Sequence, residues 1–328
     1  MTVISGIESS ELKTRKSEIK SALLFNDKIE EKLNVIMVIS NPCSFKKRWQ
    51  LAKKFIKHMN EFSNDINLYI CELIYENQYF QITEENNPNH LQLKTKVPLW
   101  HKENMINCAV NKLLPKDWKA FAYIDADLEF ENPNWASDTL KILNGCKDIV
   151  QLFSHCIDMD KNDNTMSIFQ GFGYQYDIGK KYCNKGLDYW HPGYAWSITR
   201  KAYERLGGIF EYSILGSGDY NIAMGLIGYD KNINNDNHKS YKDKIKELTK
   251  NAYNLRLGYV PNVIRHYYHG KKKDRKYMDR WKILVKYQYN PDLHVTKNED
   301  GILVPTSECP QELLDDILRY FQERNEDS

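Results

Sequence analysis

Three short stretches of this chain carry residue types that can do chemistry together. The first is Asp125-Ala126-Asp127, at the end of the apolar run Ala120 to Ile124. Two hard carboxylate oxygens at a strand end suit Mg²⁺ or Mn²⁺, and such an ion usually keeps diphosphate oxygens among its other ligands. Side chains alternate along a strand, so both carboxylates face one site only where the chain turns off the strand end. A turn that merely begins with aspartate has the same letters. The second stretch is Gly216-Ser217-Gly218-Asp219. Its two glycines let backbone approach a ligand and leave one carboxylate reachable. Asp219 is also placed to cap a helix that starts before Ile222. The third is His266-Tyr267-Tyr268-His269-Gly270-Lys271-Lys272-Lys273. A histidine at a strand end can complete a metal site opened by carboxylates. The lysines beside it can neutralise phosphates. A solvated basic turn has the same composition. His155 and His191 suit polar packing or a substrate contact.

The elements that must hold these residues alternate as in an α/β sheet. Ala120 to Ile124 is apolar or aromatic throughout, which fits a strand buried on both faces. Asn34 to Ile39 predicts an earlier strand, stopped by Asn41-Pro42. A helix over 45–62 and a strand over 67–73 complete a βαβ unit. Another helix runs from Lys102 to Leu114 and ends before Pro115. Residues 78–96 and 157–190 read as loop. After the aspartate pair come a helix over 135–143, a strand over 148–153 and a strand over 193–198. Thr199 can cap the next helix, and Gly207-Gly208 ends it. A helix over 241–255 leads to one last strand, Gly258 to His266, and then to the basic segment Lys271 to Lys286. Glu308 to Glu323 is an amphipathic helix with Leu313, Leu314, Ile317, Leu318 and Phe321 on one side, suited to docking on the core. Open α/β sheets place their ligands at the carboxyl ends of strands.

The whole chain has 328 residues, 41% of them hydrophobic and 27% charged, with a net charge of +2. That balance argues against an obligate nucleic-acid binder. The seven cysteines include no CxxC pair, which points to a reducing compartment and a cytoplasmic protein. Met1 to Leu33 is polar and has no signal-peptide run, although Ser17 to Lys32 can form a helix. No window approaches the ~18 apolar residues of a membrane span.

The order of these stretches resembles the GT-A class of metal-dependent glycosyltransferases, most closely the β-1,4-galactosyltransferase-like group, over roughly residues 34–275. In that family an Asn-Arg…Asn helix precedes the Asp-x-Asp strand; here Trp100 to Asn107 stands there, with Lys102 in place of Arg. Asp125-Ala126-Asp127 matches the family's Asp-Val-Asp. His191 to Ser197 stands where the family has Phe-Gly-Gly-Val-Ser, and Gly216 to Asp219 where it has Gly-Gly-Glu-Asp-Asp-Asp. Val263-Ile264-Arg265-His266 matches Met-Ile-Arg-His. Two departures concern the acceptor. Gly218 replaces the box's Glu, leaving one acid, and Ser213 and Leu215 replace aromatic residues.

The resemblance implies a Rossmann-like GT-A fold, a mixed sheet flanked by helices, over 34–290. Residues 34–130 would form the nucleotide half and 131–290 the acceptor half. A helical extension over 1–33 and a tail with a helix over 291–328 would complete the chain. By the same resemblance, Asp127 and His266, with His269 as the alternative, would bind Mn²⁺ or Mg²⁺. Asp125 would lie near the ribose or the metal. Ser40, Asn41 and Glu72 would lie by the nucleotide, Lys102 by the sugar or diphosphate, and Lys271 by the phosphates. Asp219 would be the catalytic base, and His191, Tyr194 and Trp196 would line the acceptor side. The segment 271–286 would close over the diphosphate. The implied reaction is inverting transfer from a nucleotide-diphosphate sugar, UDP-linked, to a hydroxyl of a carbohydrate or glycoconjugate. A nucleotidyl- or phosphotransferase on the same sort of sheet is one alternative. A non-catalytic protein binding sugar, or nucleic acid through 271–286, is the other.

Overall fold

The apolar run before Asp125 lies at the middle of a seven-stranded sheet. The chain is seen in a computed structural model that describes residues 18–229, 234–276 and 279–328. After a helix over 18–25 (α1), strand β1 (Leu33–Ser40), helix α2 (Lys46–Asn60) and strand β2 (Ile66–Tyr75) form the expected βαβ unit, with Leu33 opposite Ile66 in parallel register. Strand β3 (His90–Thr95) extends the sheet, helix α3 (Lys102–Leu113) crosses it, and β4 (Ala120–Ile124) pairs parallel with β1. β4 shows why the run is continuous. Ala120, Ala122 and Ile124 enter one core layer, while Phe121 and Tyr123 enter the other. The first layer includes Phe55 and Met59 of α2; the second includes Met105, Ile106 and Ala109 of α3. A strand covered by helices on both faces has no polar side to alternate with.

Beyond β4 come β5 (Leu128–Phe130), helix α4 (Trp135–Leu143), β6 (Ile149–Gln151), β7 (His155–Met159), β8 (Thr165–Gln170) and helix α5 (Phe172–Asp177). β9 (Ala195–Thr199) returns antiparallel between β4 and β6. Helices α6 (Arg200–Leu206), α7 (Gly218–Leu226) and α8 (Lys239–Ala252) follow, then β10 (Leu257–Tyr259) and β11 (Val263–His266). The large sheet has the order β10-β6-β9-β4-β1-β2-β3 and is mixed, as expected for the fold class. A second sheet has the order β5-β11-β7-β8.

Helices α9 (Arg280–Lys286) and α10 (Pro291–His294), the β12 (Val295–Lys297) and β13 (Leu303–Pro305) hairpin, and α11 (Gln311–Glu323) close the chain. α11 docks on the core as its pattern predicts, through Leu313, Ile317, Tyr320 and Phe321; Leu318 stays exposed. Among the described residues no helix is long and apolar enough to cross a membrane.

The structure corrects several expectations. Residues 78–96 contain β3, and residues 157–190 contain most of the β7–β8 hairpin and α5. The expected single strand 258–266 is two strands, broken over 260–262 around Pro261, so that β10 joins the large sheet and β11 the small one. Proline has no N–H to give a ladder, and the chain changes sheets there. Of the expected helix Ser17–Lys32, the described part is helical only over 18–25, and Ser17 lies outside the described residues.

Candidate metal centre and cleft

The small sheet brings the ends of β4 and β11 together. Asp127 leaves β4 and leads directly into β5, and β5 pairs antiparallel with β11 so that His266 stands opposite Leu128. His269 follows three residues later, before Gly270 at φ +90°. Asp127 Oδ2 lies 2.8 Å from His269 Nε2 and 3.6 Å from His266 Nε2, and the two ring nitrogens are 3.3 Å apart. These three ligand atoms form the cluster able to hold a metal ion among the described residues. Asp127 Oδ1 is buried with no hydrogen-bond partner, a lone pair without a use inside the protein. One carboxylate and two imidazoles suit a borderline divalent ion such as Mn²⁺.

His266 is held from behind. Its register partner on β7 is Asp158, whose Oδ1 lies 2.7 Å from His266 Nδ1. The Tyr194 ring stacks on its face at 4.6 Å between centroids. Burial would lower the His266 pKa, but Asp127 and Asp158 reverse this and raise it. Burial and the neighbouring Arg275 push His269 down to about 4. Burial would raise Asp127; His266 and His269 overcome it and hold the carboxyl well below the usual carboxylate range. Arg275 Nη2 donates to His269 Nε2 at 2.9 Å, so a cation at that nitrogen takes the lone pair Arg275 now uses.

Asp125 takes no part in this cluster. The turn after β4 separates the two aspartates, and Asp125 pairs with Lys102 Nζ at the start of α3. Burial opposes a charged Lys102, but Asp125, Asp219 and Glu103 raise its pKa. Asp127 and His269 line a cleft whose walls also include Ser40, Arg48, Trp100, Lys102, Phe321 and Arg324.

Two expected nucleotide residues lie elsewhere. Asn41 braces the turn into α2, donating to Phe45 O at 2.8 Å and accepting from Phe45 N at 2.9 Å. Glu72 accepts the N–H groups of Gln81, Ile82 and Thr83 and the Thr83 hydroxyl, at 2.7–3.1 Å, and so anchors a loop. Buried polar side chains at strand ends were satisfied by the chain itself. Lys271 is exposed and does not line the cleft. In the basic segment, of which 277–278 lie outside the described residues, Arg275 and Arg280 are buried; Lys276 and Lys286 pair with Glu323 and Asp316 of α11.

Asp219 lies in the first turn of α7 and is not its cap; Ser217 holds that position at φ +78°. A Cβ on Gly193 would lie 3.0 Å from both Asp219 Oδ2 and His191 Cε1, so these two side chains flank one glycine. Gly218 leaves room for Glu103, whose carboxyl carbon would be 2.5 Å from a Cβ there. Sequence reasoning missed Glu103. Burial first, with Asp219 adding to it, pushes its pKa up to about 7. Of the expected acceptor residues, His191 is half-buried. Tyr194 is sandwiched between His191, at 4.4 Å, and His266. Trp196 is 1% exposed in the core and donates its indole N–H to Pro192 O at 2.8 Å, leaving no ring face for a sugar. His155 packs on Tyr174 at 5.1 Å and meets the Ser154 hydroxyl.

A mixed α/β sheet with a carboxylate–imidazole cluster at a strand end is thus the class that the fold and site define. No protein-family model matches the chain, and no curated protein sequence matches it. Among solved structures the chain is similar to the catalytic domain of Drosophila β1,4-galactosyltransferase 7 in complex with xylobiose, at 10% identity and TM-score 0.41, covering 88% of this chain and 99% of that one. It is also similar to the mannosyltransferase PcManGT from Pyrobaculum calidifontis in complex with GDP-Man and Mn²⁺, at 11% identity and TM-score 0.42, covering 95% and 79%. A third is the inositol-1-phosphate CTP transferase from T. maritima, at 9% identity and TM-score 0.37, covering 74% and 91%. Likeness at this level says nothing about chemistry.

Proposed function

We propose that this chain is a metal-dependent glycosyltransferase of the GT-A type that moves a sugar from a UDP-linked donor to a carbohydrate hydroxyl with inversion. The observation that supports it most is the meeting of Asp127 Oδ2 with two imidazole nitrogens at a strand end, beside a cleft walled by Arg48, Lys102 and Arg324. Asp127, His266 and His269 would hold the ion. When bound, it supplies Lewis-acid stabilisation of the leaving diphosphate. Asp158 fixes which His266 nitrogen faces the cluster, because its carboxylate accepts the Nδ1 proton. Lys102 stays protonated beside Asp125 and offsets phosphate charge at the cleft wall. Asp219, opposite His191 across Gly193, takes the proton of the acceptor hydroxyl, so that one displacement inverts the anomeric carbon. All seven cysteines are free thiols, which suits a reducing cytoplasm.

The test is a panel of nucleotide sugars and nucleoside triphosphates incubated with the protein and simple sugar acceptors, with and without Mn²⁺. Mn²⁺-dependent release of UDP, with a new glycoside, is the expected result. Release of pyrophosphate from a triphosphate instead makes the chain a nucleotidyltransferase. Consumption of neither makes it a binding protein.

A further inference from the structure

The segment 324–328, Arg-Asn-Glu-Asp-Ser, lies against the cleft and carries two adjacent acids. Glu326 has a side chain only 1% exposed. Its Oε1 accepts Arg48 Nη2 and Arg324 Nε, each at 2.7 Å, and its Oε2 accepts Arg48 Nε and lies 3.9 Å from His269 Nδ1. Asp327 takes the next position. Its two oxygens accept the backbone N–H groups of Lys46 and Lys47 at 3.0 and 2.8 Å, the open donors of the first turn of α2. Two guanidiniums and a helix N-terminus after a strand end make an environment for two linked anions. Both guanidiniums line the cleft that Asp127 and His269 reach.

We propose that Glu326 and Asp327 are an internal occupant of a diphosphate site, filling anion positions that the donor's two phosphates take over as segment 325–328 lifts away from Arg48 and Arg324. The identity of the ligand rests on the glycosyltransferase reading above; the anion site does not. The packing fits an exchangeable occupant. Residues 325–328 have no apolar side chain, and Arg324, which packs over the rings of Trp100 and Tyr320, stays in place when they leave. The segment lies on Gly270, where a Cβ would come within 3.1–3.2 Å of Arg324 O, Asn325 O and Glu326 Cα. The turn that carries His269 and the acidic segment therefore touch. A diphosphate spanning from Arg48 toward the triad would return a charge-assisted partner to each guanidinium that Glu326 leaves. An internal competitor lowers the apparent affinity for the incoming anion by the fraction of time the site is vacated.

The test titrates inorganic pyrophosphate, without metal, into the full chain and into the double variant Glu326→Gln/Asp327→Asn, with thermal unfolding to confirm that the variant is folded. Binding tighter by about tenfold or more in the variant is expected. Equal, weaker or absent binding by a folded variant overturns the proposal. A second measurement needs no substitution. Hydrogen exchange of the unaltered chain at saturating pyrophosphate should show protection lost over 325–328 and kept at the Lys46 and Lys47 amides. Unchanged protection over 325–328 overturns it equally and makes the segment a fixed strap. Neither readout involves a sugar or turnover, so a chain that transfers no sugar can still pass both, and an active transferase can fail both.

Discussion

Tyr267 donates its backbone N–H to the carbonyl of Asp127 at 2.9 Å, one residue past the ladder that sets His266 opposite Leu128. The placement of His266 beside Asp127 is therefore fixed by sheet register and not by side-chain reach. A slip of one residue in β5 or β11 would turn His266 to the other face.

Asp127→Ala should abolish Mn²⁺-dependent UDP binding, because the cluster has a single carboxylate and its spare oxygen is already buried without a partner. Calorimetric titration of UDP with and without Mn²⁺ reads this. A variant that keeps the wild-type metal dependence would remove Asp127 from the site. His266→Ala and His269→Ala should each weaken the same signal, since both Nε2 atoms face Asp127 Oδ2.

Asp158→Asn leaves the three cluster residues in place and changes what holds His266 Nδ1, with the Ser167 hydroxyl at 3.4 Å as a further contact of that carboxylate. Mn²⁺ affinity should fall by about 10–100-fold. Wild-type affinity in that variant would mean that the Tyr194 stack alone orients the ring.

Asp219→Asn should bind UDP-sugar and metal almost normally and transfer sugar at least ~100-fold more slowly. Near-normal turnover would leave the carboxylate a structural role through its contact with Tyr220 N, at 2.8 Å. Loss of donor binding instead would move it to the donor side.

Glu103 gives a stability signature. Burial lifts its pKa from 4.5 to about 7, so the folded chain keeps a proton that the unfolded chain has released across that window. The folded state then binds more protons, and stability falls as pH rises from 4.5 toward 7. Glu103→Gln should gain up to about 3 kcal/mol at alkaline pH and little at acid pH, in denaturant titrations at both. Equal gains at both pH values would point to packing.

His101 has the opposite sign. Burial lowers its pKa from 6.5 to about 4, so the unfolded chain binds the extra proton and stability is lost as pH falls through that range. His101→Gln should flatten this acid limb, read as Tm against pH; an unchanged limb would assign the loss to other groups.

The strands buried on both faces were legible because such burial writes unbroken apolar runs, as in Ala120 to Ile124. β8 was not, because it is an edge strand whose Met166 and Ile168 are exposed among polar residues, a mixture that reads as loop. β5 has three residues, too few for any periodicity. The break over 260–262 hid inside one apolar run, although Pro261 marked it. In the site, Asp127 and His266 were legible from type and position. His269 stood only as an alternative, because which histidine of a turn faces inward depends on the φ of Gly270 and on packing against residues 324–326. Glu72 and Asn41 had the right chemistry and position, but loops that no local pattern announces had claimed them.

The crossing of the chain between sheets at Pro261 bears on how the protein holds itself together. Asp127 and His266 are the ends of a loop containing about two-fifths of the chain. Closing so long a loop costs an unfolded polypeptide entropy that neighbouring contacts do not return. An ion bound by both ends would act as a long-range clip, and its binding free energy would add to that of folding.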